Sequence, residues 1–448
     1  MAAVVCCGCN NNQEYVTAAW IDGEFVDGSV PRITATIYPN GATSSRKRVE
    51  VADGKFMVEV FDVDKFAHVD ILAGDTYFGV KVVPGDTLSV VLTADPETEG
   101  AFTPSFKGKT ETDSKTYSAI ASTFNNYSPY YDKDTVAEAL ELLKANSADF
   151  YANTGAKLNK FYKKLASVCE KNIKAGLLAV RAYENDADPN SDEEFCAVMK
   201  EVDPNDPMYL SSDLVPMWAS AEAYKLAPEG VDNLKAMMDV VSEKVTNPAS
   251  KKLLVDNVAE MMFVYGEEYG VDNIDEFWEK FTSFASDYPE IIENYQDDYE
   301  AVKSMAKGND AMDFTMETPD GKEVKLSDLF GKVLYIDVWA TWCGPCRGEI
   351  PYLATLAEHY KGNSDVYVMS VSVDSTSEPW LEMITADKPA WPQYWVNREN
   401  DKNFSKDWKV TSIPRFIIID KQGKIFNAYA QRPSNDKAIA QIDACAAM

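Results

Sequence analysis

From Glu14 to Phe106 apolar and polar residues alternate in short runs, interrupted by Gly, Pro, Asp and Asn. Arg32–Tyr38 and Lys55–Val60 are two such runs; Tyr77–Val83 and Leu88–Leu92 flank Pro84-Gly85-Asp86. A period of two bounded by turn residues predicts strands, and many short strands predict a small antiparallel sandwich or barrel over residues 14–109. The period then lengthens. Val136, Leu140 and Leu143 recur at helical spacing, as do Leu158, Phe161, Leu165 and Val168, and later Ile274, Phe277, Phe281 and Phe284. Such stripes predict amphipathic helices, each burying one face, and an all-α domain over 110–307. The Met and aromatic residues in them read as core.

Past Lys307 strand and helix patterns alternate. A strand is predicted at Val333–Trp339, a helix at Cys343–Tyr360, a strand at Val366–Val373 and a helix near Pro379–Thr385. Strands at Arg415–Ile419 and Ile425–Ala430, joined by a turn at Lys421–Lys424, precede a last helix at Asn435–Ala446. The chain therefore reads as multidomain: a short N-terminal segment 1–13, a β-domain 14–109, an all-α domain 110–307 and an α/β domain 308–448.

Composition fits that reading. At 448 residues, 46% hydrophobic and 26% charged, the chain is too long for one core and typical of globular proteins. The formal net charge is −29, with most of the acidity upstream of residue 308. Such a surface repels phosphate backbones, so nucleic acid is excluded as a partner; the charge itself reads as a solvated surface.

Eight cysteines are too few to staple a chain of this length. Cys6, Cys7 and Cys9 crowd the N-terminus; Cys169, Cys196 and Cys445 are scattered and read as unpaired. Cys343 and Cys346 form a Cys-x-x-Cys. A zinc ribbon needs a second such pair and a c-type haem needs His at the position of Arg347, so neither fits. With two histidines in the chain, His68 and His359, metal chemistry has no support and no cofactor is expected. Redox chemistry remains. At a helix start, free N–H groups and the helix dipole favour the Cys343 thiolate, the attacking species. Cys346, about one turn on and expected to be less exposed, can resolve the mixed disulfide. Pro345 has no N–H to lose in a first turn.

The run Lys332–Pro351, KVLYIDVWATWCGPCRGEIP, resembles thioredoxins, specifically the membrane-anchored or periplasmic TlpA/ResA branch. Asp313–Met316, Leu326–Lys332, VMSVSVD and TSIPRFIIIDKQGKI match the same branch, so the resemblance covers about 310–448 and implies a thioredoxin fold there. It implies Cys343 as nucleophile, Cys346 as resolving thiol and Trp342 as a cover for the sulfurs. Gly344 and Pro345 complete the substrate-facing loop. Asp337 matches the buried acid that exchanges protons with the resolving cysteine, a role open to a carboxyl whose pKa burial raises. Glu349 occupies a second acidic position of the branch, and the division of labour between the two stays open. Pro414 matches the family's cis-proline, setting Ile413 to pair with an extended substrate. Arg415 replaces the usual Thr and is read as favouring an acidic partner segment.

The start of the chain resembles the end of a bacterial lipoprotein leader, with Cys9 as the acylated residue. VVPGDTLSVVL resembles a β-domain found ahead of thioredoxin modules in bacterial envelope proteins. Together these imply a lipid-anchored, periplasm-facing envelope protein whose only membrane contact is that anchor. The expected activity is thiol–disulfide exchange that reduces disulfides of envelope proteins, fed by an upstream electron donor. The alternatives are a disulfide oxidase or isomerase, and a partner-binding scaffold with a regulatory redox pair.

Overall fold

The computed structural model describes residues 17–26, 30–39, 45–185, 187–228, 230–263, 274–397 and 404–448. Cys9 and the leader-like segment lie outside them. The chain divides into two compact units, residues 1–225 with 240–254, and residues 226–239 with 255–448.

The first unit opens with nine strands: β1 (Ala19–Val26), β2 (Ile33–Pro39), β3 (Ser45–Val49), β4 (Val51–Ala52), β5 (Lys55–Val60), β6 (Ala67–Ala73), β7 (Thr76–Val82), β8 (Thr87–Ala94) and β9 (Phe102–Lys107). They form two sheets, ordered β4-β5-β1-β8-β9 and β3-β2-β6-β7. β5 shows why: Phe56, Val58 and Val60 are buried and Lys55, Met57 and Glu59 exposed. A period of two delivers one apolar face, and the inner faces of both sheets feed one cluster that includes Ile21, Ile33, Val58, Val69 and Leu88. The all-antiparallel expectation is corrected at one pair. β1 and β8 run parallel, with Ile21 opposite Leu88, because the chain passes through the second sheet before returning at Pro84-Gly85-Asp86.

Helices follow: α1 (Glu111–Ile120), α2 (Ser128–Tyr131), α3 (Val136–Thr154), α4 (Lys160–Glu184), α5 (Glu193–Met199), α6 (Leu214–Tyr224), α7 (Gly230–Lys244), α8 (Pro248–Phe263), α9 (Ile274–Phe284) and α10 (Pro289–Ser304). The two compact units divide this helical stretch instead of following its ends. α1 lies directly on β7: Ser114 Oγ accepts the Lys81 N–H at 3.1 Å, and a Cβ on Gly79 would come within 2.5 Å of the Tyr117 ring. A glycine there lets the helix touch the sheet. In the second unit the buried Lys409 donates to Phe263 O at 3.1 Å and pairs with Asp298, joining the helices to the C-terminal fold. Among the described residues no helix is long and apolar enough to cross a membrane.

The C-terminal sheet has seven strands: β10 (Thr315–Glu317), β11 (Glu323–Lys325), β12 (Val333–Trp339), β13 (Val366–Ser372), β14 (Gln393–Trp395), β15 (Arg415–Ile419) and β16 (Ile425–Asn427). Their order is β11-β10-β14-β13-β12-β15-β16. β12 is central, parallel to β13 and antiparallel to β15, and all seven of its residues are buried. Each fully buried Val, Leu or Ile there contributes roughly 1.5–3 kcal/mol. α11 (Gly344–His359), α12 (Ser377–Asp387), α13 (Phe404–Asp407) and α14 (Lys437–Ala446) complete the domain. The β10–β11 hairpin and β14 extend the sheet beyond the strands expected from the sequence, and β16 stops at Asn427, short of Ala430. The β15–β16 turn passes under Phe330, with Gly423 at φ +77° and no room for a Cβ.

Candidate active site

The site begins where β12 ends. An all-apolar strand with one acid, Asp337, runs into Thr341-Trp342-Cys343 and then α11. Asp374 holds this junction: it accepts the Thr341 N–H at 3.0 Å, the Thr341 hydroxyl at 2.8 Å and the Ser372 hydroxyl at 2.7 Å.

Cys343 is the N-cap of α11, and its Sγ accepts the Cys346 N–H at 3.1 Å. The two cysteines form a disulfide, S–S 2.00 Å. Both are covered, with exposures of 4% for Cys343 and 3% for Cys346, so the expected difference in exposure is absent in this oxidised form. Trp342, by contrast, is 68% exposed, and Gly344 and Pro345 also face solvent. Ile413 O lies 3.7 Å from Cys343 Sγ, and the Ile413–Pro414 peptide is cis. Pro351 sits inside α11, where it removes one helical N–H donor.

Asp337 is 6% exposed, and burial pushes its carboxyl up to about 7. The Ser370 hydroxyl, donating to Oδ2 at 2.8 Å, pulls the other way, while Glu349 adds a smaller upward push. Trp391 Nε1 donates to the same Ser370 Oγ at 2.8 Å, so the hydroxyl is held in line. A cavity of about 30 Å³ adjoins Asp337, Ser370 and Trp391, and Trp339, whose buried Nε1 has no partner, also lines it. Glu349 is buried on α11, its oxygens accepting the Ser434 N–H at 3.1 Å and hydroxyl at 2.9 Å.

The structure thus gathers Asp337, Trp342, Cys343, Gly344, Pro345, Cys346, Glu349, Ile413 and Pro414 in one domain, at the C-terminal end of β12, along α11 and at the start of β15. Arg415 is a correction. Its side chain is turned inward, 2% exposed, with the guanidinium 3.3 Å above the Tyr429 ring and Nε donating to Ala428 O at 2.7 Å, so it does not face a partner. Cys169, Cys196 and Cys445 are free thiols. Sequence reasoning missed Ser370 and Asp374. The signal was in VMSVSVD, where Ser370, Ser372 and Asp374 recur every second residue along β13 and just past it.

A Cys-x-x-Cys disulfide at a helix start, beside a cis-proline and above a buried acid on the central strand, defines a thioredoxin-like redox domain. The Redoxin family matches residues 306–444. Over 123 residues the chain is 31% identical to thiol-disulfide oxidoreductase ResA of Bacillus subtilis, covering 28% of this chain and 66% of that protein. Over 139 residues it is 39% identical to ResA of Oceanobacillus iheyensis, covering 30% of this chain and 69% of that protein. A crystal structure of the thioredoxin domain of a thiol-disulfide oxidoreductase from Bacteroides vulgatus is 29% identical, with 31% of this chain and 96% of that chain covered and a TM-score of 0.29. Through its C-terminal domain, this chain belongs to the ResA-type thioredoxin-like family of thiol–disulfide oxidoreductases.

Proposed function

We propose that Cys343 and Cys346 cycle between dithiol and disulfide to reduce disulfides of proteins in the bacterial envelope. The observation that carries this reading is the position of Cys343 as N-cap of α11, its sulfur accepting the Cys346 N–H. An N–H donor and the positive end of the helix dipole favour the reduced Cys343 sulfur in its anionic form, the attacking species. That thiolate attacks one sulfur of a substrate disulfide, forming a mixed disulfide and releasing the other sulfur as a thiolate. Asp337 takes the proton from Cys346, whose sulfur then attacks Cys343 Sγ. The second substrate thiol leaves, and the Cys343–Cys346 disulfide returns with the two electrons passed to substrate. An upstream dithiol donor closes the cycle.

Trp342, Gly344 and Pro345 form the exposed surface next to the cysteines, and Ile413 O beside Cys343 offers a backbone acceptor to an extended substrate. The envelope location and a lipid anchor at Cys9 rest on the leader-like sequence. Replacing Cys346 with Ala removes the resolving thiol, and envelope proteins then accumulate on Cys343 as dithiothreitol-sensitive adducts in non-reducing gels. An adduct-free Cys346→Ala protein contradicts the proposal.

A further inference from the structure

The first unit contains a built polar pocket. β6 is buried on both faces: Val69 and Ile71 point into the apolar cluster, so His68 and Asp70 alternate onto the opposite face, toward the helices. There a cavity of about 40 Å³ is lined by His68, by Tyr38, its cross-strand neighbour on β2, and by Cys169 and Asn172 of α4. Ser211 and Ser212 form another part of its wall.

The walls are fixed in advance. Asp70 accepts from Tyr117 Oη at 2.7 Å, Tyr77 Oη at 2.9 Å and Asn125 Nδ2 at 2.9 Å. Asn125 reaches it from a wide π-helical turn, Ala121–Asn125, closed by the Asn126 N–H on Ala121 O; such turns recur at functional sites. Asn172, 8% exposed, donates to Tyr127 Oη at 2.7 Å and accepts the Asp213 N–H at 3.0 Å. Against this ordered wall His68 stacks on Tyr117 at 4.0 Å, is 5% exposed, and its Nε2 has no partner. A buried polar atom left open in an otherwise bonded cluster is a place for a ligand or water.

The lining selects the ligand's chemistry. It includes no Lys, Arg, Asp or Glu. Asp70 and Asp213 lie near it, but the Asp70 oxygens are taken by Tyr117, Tyr77 and Asn125. Burial, with the nearby Lys81, keeps His68 neutral, so an ion entering would lose its hydration with no charged group lining the cavity. The polar groups of the lining are the hydroxyls of Tyr38, Tyr127 and Ser211, the Ser212 hydroxyl, which already donates to Tyr209 O at 2.7 Å and can still accept, and the imidazole. The Asn172 amide is spent on Tyr127 and the Asp213 N–H. Hydroxyls both donate and accept, and they match a group that does the same. Aromatic faces beside them suit the C–H side of a sugar ring. The volume holds about two or three waters, or one edge of a larger molecule. We propose that this pocket binds a neutral polyhydroxyl ligand, a sugar or polyol, by one diol edge, in a site separate from the redox centre.

Ligand-observed saturation-transfer NMR on the full chain tests this with millimolar glycerol, methyl α-glucopyranoside and maltotriose, against methylammonium and acetate. Transfer to a hydroxylated probe and to neither ion is expected; methyl glucopyranoside points to a free sugar, maltotriose alone to a glycan end. The signal is expected to fall about fivefold to tenfold in Tyr38→Phe, which removes one hydroxyl and keeps the ring, and in Cys169→Met, which fills the cavity. Should Cys169→Met fail to fold, Tyr38→Phe decides. Absence of transfer to every hydroxylated probe means the cavity holds water alone and overturns the proposal, as do transfer to the ions and a signal unchanged in the variants.

Discussion

Ser370 donates its hydroxyl to Asp337 across the β12–β13 pair at 2.8 Å, and Trp391 Nε1 fixes that hydroxyl from behind. The bond favours the charged form of a carboxyl that burial, even against this bond, raises to about 7. Ser370→Ala deletes it and pushes the Asp337 carboxyl further up, by about one pH unit for a hydrogen bond to a charged group. Because the carboxylate is the proton acceptor, the acid limb of the pH–rate profile for disulfide reduction moves to higher pH by the same amount. An unmoved limb in Ser370→Ala separates Ser370 from the proton step.

Asp337→Asn tests the acid itself in two ways. Turnover at neutral pH falls on the order of 10²-fold, while alkylation of reduced Cys343 proceeds at its usual rate. Stability responds with a definite sign. The folded carboxyl sits near 7 and the unfolded one near 3.8, so between those values the folded chain keeps a proton that the unfolded chain releases. Stability therefore falls as pH rises through that window, by at most on the order of 4 kcal/mol, and the decline flattens in Asp337→Asn. Denaturant titrations at pH 4.5 and pH 8 measure the difference.

Glu349 has a structural task, joining α11 to Ser434 through both carboxylate oxygens. Glu349→Gln loses about 1–2 kcal/mol of stability, because an amide cannot accept both bonds equally well. Its acid limb persists and moves slightly to lower pH, because the smaller upward push of Glu349 on the Asp337 carboxyl is gone. A limb that disappears in Glu349→Gln and survives in Asp337→Asn reverses the assignment of the two acids.

The reactive centre was legible because its chemistry is local. Cys343, Pro345 and Cys346 fall within one turn of a helix, and the resemblance of KVLYIDVWATWCGPCRGEIP to the TlpA/ResA branch placed Asp337 beside them. β12 and β15 were legible for a related reason, since apolar runs such as Val333–Ile336 and Phe416–Ile419 have few other places to go. What escaped was long-range. Ser370 meets Asp337 only through strand pairing, Ser434 meets Glu349 across a sequence separation of 85, and the inward turn of Arg415 depends on Tyr429 in the chain that follows β16. The parallel β1–β8 pair was hidden likewise, because an alternating pattern gives a strand's faces but not its neighbour's direction. The contacts of His68 with Tyr117 and of Asp70 with Tyr117 and Asn125 are long-range in the same way.

The direction of electron flow is the central claim, and the equilibrium reduction potential of the Cys343–Cys346 couple tests it most directly. Titrated against dithiothreitol or glutathione buffers, the couple is predicted to lie near that of thioredoxin, roughly −270 mV, as a donor of electrons to substrate disulfides requires. A value of roughly −180 to −120 mV, in the range of protein disulfide isomerase and DsbA, contradicts the reductase account and makes the protein a source of disulfides.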